Sequence, residues 1–122
     1  MAKVERFEDL KCWQEARILV RMVYEIAEKG KLKNDFDTKS QFRRAALSVM
    51  NNIAEGFGRY HRKEFTRFLD ISQSSCSEVK SMLYVLEDLN YFDKTEVQLI
   101  HEQADKTRNM TLALIRYITK AT

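Results

Sequence analysis

The chain has 122 residues, no proline and three glycines, and its 21 basic and 18 acidic side chains give a net charge of +3. This length allows one domain with one core, and the scarcity of proline and glycine excludes an all-β chain of short strands and tight turns. The composition also excludes a collagen, a disulfide scaffold and a disordered low-complexity chain. The mild positive charge permits nucleic acid as a partner without requiring it.

Turn signals divide the chain into four helical segments. Gly30 ends the first, Gly56 and Gly58 end the second, and Asn90-Tyr91 separates the third from the fourth. The predicted helices lie near residues 8–30, 37–58, 61–90 and 94–120. Because short connections make neighbouring helices antiparallel, the sequence predicts one all-α domain over residues 1–122, an antiparallel up-down-up-down four-helix bundle.

Each segment carries apolar residues at the 3.6-residue period of an amphipathic helix. One stripe per helix is expected to form the core. The first helix contributes Trp13, Ala16, Val20, Val23 and Ala27, and the second Phe42, Ala45, Ala46, Val49, Ile53 and Gly56. The third contributes Phe65, Leu69, Ser72, Cys76, Val79, Leu83 and Leu86, and the fourth Val97, Ile100, Ala104, Thr111, Leu114, Ile115 and Ile118.

The first, third and fourth helices carry more apolar surface than one bundle core needs. A soluble monomer rarely exposes such wide apolar arcs, although single surface leucines are common. The pattern therefore favours a homo-oligomer that associates through these flanks. The candidate interface residues are Leu19, Phe68, Ile71, Met82, Leu89, Met110 and Tyr117.

The second helix carries a polar flank beside its apolar stripe. Its members, spaced by seven, four, three and four residues, are Gln41, Ser48, Asn52, Glu55 and Arg59. Polar groups next to a core must be hydrogen-bonded. A structural network that fixes helix register or a subunit contact is favoured over a catalytic site, because no nucleophile or metal ligand joins the group.

Charge is unevenly distributed along the chain. A basic corner between the second and third helices holds Arg59, His61, Arg62, Lys63 and Arg67, and in an antiparallel bundle it lies at the same end as both termini. The turn between the third and fourth helices is acidic, with Glu87, Asp88, Asp93 and Glu96. Cations beside the start of a helix suit phosphate groups. The alternative, which the sequence supports equally well, is that these charges are solvated and only keep the protein soluble.

Catalytic signatures are incomplete. The Gly56-Phe57-Gly58 stretch has His61 where the third glycine of a dinucleotide-binding loop belongs, and His101-Glu102 lacks the second histidine of a zinc protease. Cys12 and Cys76 lie on or beside apolar stripes, and we expect no export signal, because the first residues alternate in charge and include no apolar stretch. We therefore expect a cytoplasmic protein that is not an enzyme, requires no metal or cofactor, and does not enter the membrane.

Four stretches of the sequence resemble one known family. They are Leu10–Gln14, Gln41–Val49, Asn52–Arg59 and Lys63–Leu69, followed by Ser75 and Glu78. They resemble the bacterial four-helix-bundle proteins encoded within 23S ribosomal RNA intervening sequences, and the Asn-Ile-Ala-Glu-Gly-x-Gly-Arg core is the specific part. The same motif is similar to that of the accessory variability determinant proteins of diversity-generating retroelements. Met50 departs from the pattern, because the family often has a proline there.

The resemblance implies a homopentamer with a basic surface. For the retroelement branch it also implies binding to nucleic acid and to a reverse transcriptase, whereas the role of the intervening-sequence branch is not established. Together with the basic corner, it predicts a non-enzymatic homo-oligomeric accessory protein that binds structured RNA. The alternative is a protein-interaction scaffold with no affinity for nucleic acid.

Overall fold

The computed structural model describes residues 3–120 and contains four long helices. They are α1 (Lys11–Ala27), α2 (Phe36–Phe57), α3 (Arg62–Asp88) and α4 (Lys94–Lys120). Two short 3₁₀ helices, Phe7–Asp9 and Gly30–Asn34, precede α1 and α2. The predicted all-α fold and its four helices are confirmed. The main difference is that α1 stops three residues before Gly30, and the chain forms the second 3₁₀ helix before α2 begins.

Local sequence explains where the helices begin and end. Gly30 and Asn90 have φ angles of 55° and 58°, a left-handed conformation that glycine and asparagine adopt most readily. The Asp35 carboxylate accepts a hydrogen bond from the Thr38 backbone N–H (3.2 Å) and caps α2. Before α4, the Asp93 carboxylate accepts from the Glu96 N–H, and the Glu96 carboxylate accepts from the Asp93 N–H. This reciprocal cap fixes the start of α4.

The helices pack in a closed ring. Each contacts the next in sequence, and α1 also packs against α4, which is the neighbour relation of an up-down-up-down bundle. All six core residues predicted on α2 are buried, as are those on α3 except Phe65, which is partly buried. Within residues 3–120, none of the helices combines the length and apolar character needed to cross a bilayer.

The predicted core stripe of α1 is confirmed at Ala16, Val23 and Ala27, which are buried, but not at Trp13 and Val20. Cys12, Leu19 and Ile26 face the core, whereas Trp13 and Val20 are only partly buried. Trp13 instead stacks edge-on against Phe7 of the first 3₁₀ helix, with ring centroids 5.2 Å apart. Leu19 is 0% exposed, so it belongs to the bundle core and is removed from the candidate oligomer interface.

Close approach of α2 and α3 explains a second correction. A Cβ atom on Gly56 would lie 2.6 Å from Cβ of Phe68 and 3.1 Å from Cδ1 of Phe65, a separation that only glycine permits. The short distance between the helices buries Phe68, which is 9% exposed. Phe68 therefore packs between two helices of the same chain and is also removed from the candidate interface.

A candidate nucleic-acid interface at the basic end of the bundle

The five residues predicted as a nucleic-acid site, four cations and His61, are brought together at one end of the bundle, which we call the basic end. They occupy the α2–α3 turn and the first turns of α3, and all of them are exposed: Arg59, His61, Arg62, Lys63 and Arg67. The start of α1 and the end of α4 lie at the same end and add further exposed cations: Lys3, Lys11, Arg116 and Lys120.

The opposite end is less acidic than its α3–α4 turn alone indicates. Lys29, Lys31 and Lys33 are exposed there, because the second 3₁₀ helix lies beside that turn. Tyr91 of the turn donates a hydrogen bond to Asp35 at the end of this 3₁₀ helix (2.9 Å), which brings the two segments together. Charge at that end is therefore mixed, whereas the α2–α3 corner is predominantly basic.

Two of the four cations are paired with carboxylates close to them in the sequence. Arg59 pairs with Glu55 at 3.1 Å, and Arg67 pairs with Glu64 at 2.8 Å. Both guanidinium groups also lie over the Phe68 ring, with Cζ 5.0 and 4.6 Å from its centroid. The hydrogen bond from Arg67 lowers the pKa of Glu64 and raises the pKa of Arg67. These contacts fix the two arginine side chains in place and partly neutralise them.

Arg62 and Lys63 line a shallow groove between α3 and α4. The groove has a volume of about 190 Å³, and Thr66, Ile118 and Thr119 complete its walls. The two cations are the first two residues of α3, whose preceding residue, His61, makes no side-chain cap. Positive side chains and the backbone N–H groups of a helix start both favour a negatively charged oxygen. The groove therefore has the chemistry to hold a phosphate group.

A larger apolar cavity adjoins this groove. It has a volume of about 680 Å³ and lies between the first 3₁₀ helix, α2, α3 and α4. Ile118 forms part of both walls, so the two depressions are adjacent. Helical periodicity does not predict this cavity, because its N-terminal wall depends on how residues before α1 pack and no periodic pattern covers them. Its lining residues are Lys3, Val4, Asp9, Leu10, Lys11, Phe57, Phe65, Leu114, Tyr117 and Ile118.

The polar flank of α2 forms hydrogen bonds with α3. Asn52 donates from Nδ2 to the Ser48 carbonyl oxygen (2.8 Å) and to Ser48 Oγ (3.0 Å), and Ser48 Oγ lies 2.8 Å from Ser75 Oγ. Ser75 donates in turn to the Ile71 carbonyl oxygen. Glu55 and Arg59 pair separately, while Gln41 is exposed and stands outside the hydrogen bonds found for residues 3–120. The network joins two helices of one chain. Its predicted role in a subunit contact stays a prediction.

The remaining candidate interface residues differ in exposure. Met82 and Met110 are partly buried against the core, whereas Ile71, Leu89 and Tyr117 are exposed. Ile71, Met82 and Leu89 are eleven and seven residues apart, so they align along one face of α3. Val85, which is also exposed, lies on the same face. These four side chains form an apolar stripe on the outside of α3, which the exposed Glu78 interrupts between Ile71 and Met82. Tyr117 instead belongs to the apolar cavity.

Three other side chains have notable chemistry: His101 and Cys76 lie away from the basic end, whereas Cys12 is the second residue of α1 and lies at that end. His101 is buried under Tyr84 beside the Lys80–Asp105 ion pair, and burial lowers the pKa of His101. Burial also raises the pKa of Cys12 to about 11 and of Cys76 to about 12, which leaves both thiols protonated at neutral pH. In the described part of the chain, no three His, Cys, Asp or Glu side chains are grouped to hold a metal ion.

Comparison with known proteins places this bundle in a class of small helical proteins linked to ribosomal RNA genes. The model of the family described as 23S rRNA-intervening sequence protein matches residues 8–113, and the chain belongs to that family. A protein of unknown function from the S23 ribosomal protein family of Bacteroides thetaiotaomicron has the same fold, with a TM-score of 0.77 and 19% identity over 86% of this chain and 95% of that one. A search of curated proteins gave no match. The relation to accessory variability determinant proteins stays a prediction.

Proposed function

We propose that this protein is a non-enzymatic, homo-oligomeric accessory protein of the cytoplasm that binds structured RNA through the basic end. The observation that carries the proposal is the groove in which Arg62 and Lys63 lie at the exposed start of α3. Phosphate contacts supply most of the affinity of a protein for nucleic acid in a manner largely independent of sequence. The family name, which refers to an insertion in ribosomal RNA, supports RNA as the nucleic acid.

Oligomerisation strengthens this binding. A single chain of net charge +3 attracts a polyanion weakly, but five copies carry about +15 and present five basic ends. The apolar stripe of α3, formed by Ile71, Met82, Val85 and Leu89, supports association between copies, because a monomer would leave it in water. The number five comes from the family resemblance.

Titration of a labelled RNA hairpin with nuclease-treated protein at several salt concentrations tests the RNA proposal. We expect binding at low salt that weakens steeply as salt rises, because phosphate neutralisation releases counterions. The double variant Arg62→Glu, Lys63→Glu is expected to abolish measurable binding. Milder neutralisation by Arg62→Gln, Lys63→Gln should reduce the slope of log affinity against log salt by about 2.

A matched control separates the basic end from net charge. Lys31→Glu, Lys33→Glu makes the same change in charge at the opposite end of the bundle, on two exposed lysines. If both double variants weaken RNA binding equally, the affinity depends only on net charge, and a localised site at the basic end is contradicted. An assembled protein that binds no RNA at low salt would refute the proposal and favour the alternative, a protein-interaction scaffold.

The oligomer has its own test. Ile71→Asp, Leu89→Asp places two charges on the apolar stripe of α3, and we expect the mass measured by sedimentation to fall to that of one chain. Leu99→Asp, on an exposed leucine of α4, is the matched control and should leave the mass unchanged. If the wild-type protein is monomeric, the homo-oligomeric part of the proposal is refuted. The RNA titration then tests the remaining part independently.

The alternative scaffold function rests on the same apolar stripe, since a different protein can cover it as well as a second copy. Purification of the full-length protein from nuclease-treated extract, with and without Ile71→Asp, Leu89→Asp, distinguishes the two partners. A stoichiometric foreign protein that the variant loses would favour the scaffold, whereas a single species of this chain alone would favour the homo-oligomer. A reverse transcriptase as that foreign protein stays a prediction of the family resemblance.

A further inference from the structure

The apolar cavity of the basic end is large for a bundle of this size and is open to solvent next to the cationic groove. Its volume of about 680 Å³ lies in the range of small-molecule sites, which are mostly apolar with a few polar groups at the edge. The aromatic rings of Phe57, Phe65 and Tyr117 contribute to its wall. Phe57 and Phe65 pack edge to face with centroids 5.9 Å apart, so this part of the wall is preformed.

The charges around the cavity indicate what it binds. Lys3 and Lys11 lie at its edge, and the single carboxylate, Asp9, lies 3.9 Å from the Arg6 guanidinium. The edge is therefore net positive, as is the adjoining groove with Arg62 and Lys63. An apolar, aromatic-lined cavity with a cationic edge is complementary to a flat uncharged ring attached to a negatively charged chain. A nucleotide of RNA has both parts, whereas an apolar peptide would gain nothing from the cations.

We propose that this cavity receives an unpaired nucleobase of the RNA whose backbone phosphates lie in the Arg62–Lys63 groove. The inference rests on the proposed RNA binding and specifies the kind of RNA: one with a bulge, loop or free end. Ile118 separates the phosphate position from the base position, because it forms a wall of both depressions. Tyr117, at 53% exposed on α4, offers its ring as the stacking surface.

Two RNA hairpins with the same stem provide the test. One carries a single bulged 2-aminopurine, whose fluorescence changes when the base stacks on an aromatic ring, and the other is fully paired with a short, tightly stacked tetraloop. We expect tighter binding of the bulged hairpin and a change in its fluorescence on binding. Tyr117→Ala should weaken binding of the bulged hairpin by about five- to a hundredfold and leave the paired hairpin unchanged, because stacking on one aromatic residue is lost.

Two further variants serve as controls. Tyr84→Ala removes another exposed tyrosine, 56% exposed on α3 and outside this cavity, and should change neither affinity. Tyr117→Phe keeps the ring and should bind as the wild type does, which separates stacking from any loss of fold. The slope of affinity against salt should be the same for the wild type and Tyr117→Ala, because the phosphate contacts remain.

The outcomes distinguish this inference from the proposed function. If the wild type binds neither hairpin, the proposed function fails. If it binds both equally and 2-aminopurine fluorescence is unchanged, RNA binding stands and the nucleobase site is refuted. If Tyr117→Ala lowers the mass of the assembly and weakens both hairpins alike, a second copy of the chain occupies the cavity, and the nucleobase site is again refuted.

Discussion

The two ends of the bundle use similar residue types in opposite ways. At the end formed by residues 28–35 and 89–93, which we call the closed end, several polar groups are bonded within the chain, although Lys29, Lys31 and Lys33 are exposed. The Lys39 ammonium is buried and donates to the Glu28 carboxylate (3.4 Å) and the Lys33 carbonyl (3.0 Å), while Leu32 and Phe92 fill the interior. At the basic end the cations are exposed and an apolar cavity is open. One end is thus closed by contacts within the chain, whereas the other leaves cations and apolar surface exposed.

The largest expected effect on stability comes from replacing Phe92 with alanine. This substitution tests whether the buried side chains of the closed end stabilise the fold as those of the bundle core do. Phe92 is buried, and Phe92→Ala should lower the free energy of unfolding by about 3–5 kcal/mol, because it leaves a cavity. Phe36→Ala, at an exposed phenylalanine of the same end, should cost less than about 1 kcal/mol. Urea unfolding measures both. If both variants lose similar amounts of unfolding free energy, burial of Phe92 does not stabilise the closed end.

A substitution at Gly56 tests whether close packing of α2 against α3 also stabilises the basic end. Gly56→Ala should destabilise the fold by about 1–3 kcal/mol, because the new methyl group would overlap Phe68 and force α2 and α3 apart. Gly58→Ala is the matched control, since its Cβ would meet nothing nearer than the Glu55 carbonyl oxygen at 3.5 Å. Thermal unfolding of both variants measures the difference. If Gly56→Ala leaves the stability unchanged, α2 and α3 can move apart without a loss of free energy.

Asn52→Ala is expected to have a smaller effect. It removes the hydrogen bonds to Ser48 and should lower stability by about 1 kcal/mol or shift the assembly state. Asn51→Ala, one residue away and exposed, should change stability by less than about 0.5 kcal/mol. Unfolding midpoints and sedimentation masses provide the measurement. If Asn52→Ala leaves both quantities unchanged, the polar flank does not hold the helices or the subunits in register.

The smallest effect is a pH dependence at the closed end. Hydrogen bonds from Thr38 and Tyr91 lower the pKa of Asp35 below its ordinary value of 3.8. Since the folded pKa is the lower one, Asp35 contributes stability that is fully present at neutral pH and is lost as pH falls through the acid range below about 4. The difference in unfolding free energy between the wild type and Asp35→Asn should therefore shrink at acid pH. Tyr91→Phe should reduce this dependence, and a difference that is constant with pH would contradict it.

Sequence periodicity predicts the bundle because every helix is amphipathic and because Gly30, Gly58 and Asn90 mark the ends of helices. It fails where one helix has two adjacent apolar faces. On α1, either Trp13 and Val20 or Cys12 and Leu19 can face inward at helical spacing, and the choice depends on Phe7, which covers Trp13 from outside the helix. A pattern within one helix contains no information about such a neighbour.

The candidate site shows the same limit. The charge pattern identifies the basic corner, because consecutive residues at a turn stay close together in any fold. The apolar cavity and the Ser48–Ser75 hydrogen bond join residues from distant parts of the chain. The hydrogen bond follows from the close approach of α2 and α3, which Gly56 permits. The cavity follows from how the segment before α1 packs beside α2, α3 and α4. Both become known only once the helices are packed.

Trp13 gives the molecule an intrinsic optical probe. It is the single tryptophan of the chain, so its emission comes from one place, the junction of the first 3₁₀ helix with α1. Leu10 and Lys11, which immediately precede this part of α1, line the apolar cavity. Movement of the 3₁₀ helix when the cavity fills would alter the packing of Phe7 on the indole ring. Unlabelled protein can therefore report occupancy of its basic end through a change in its own fluorescence.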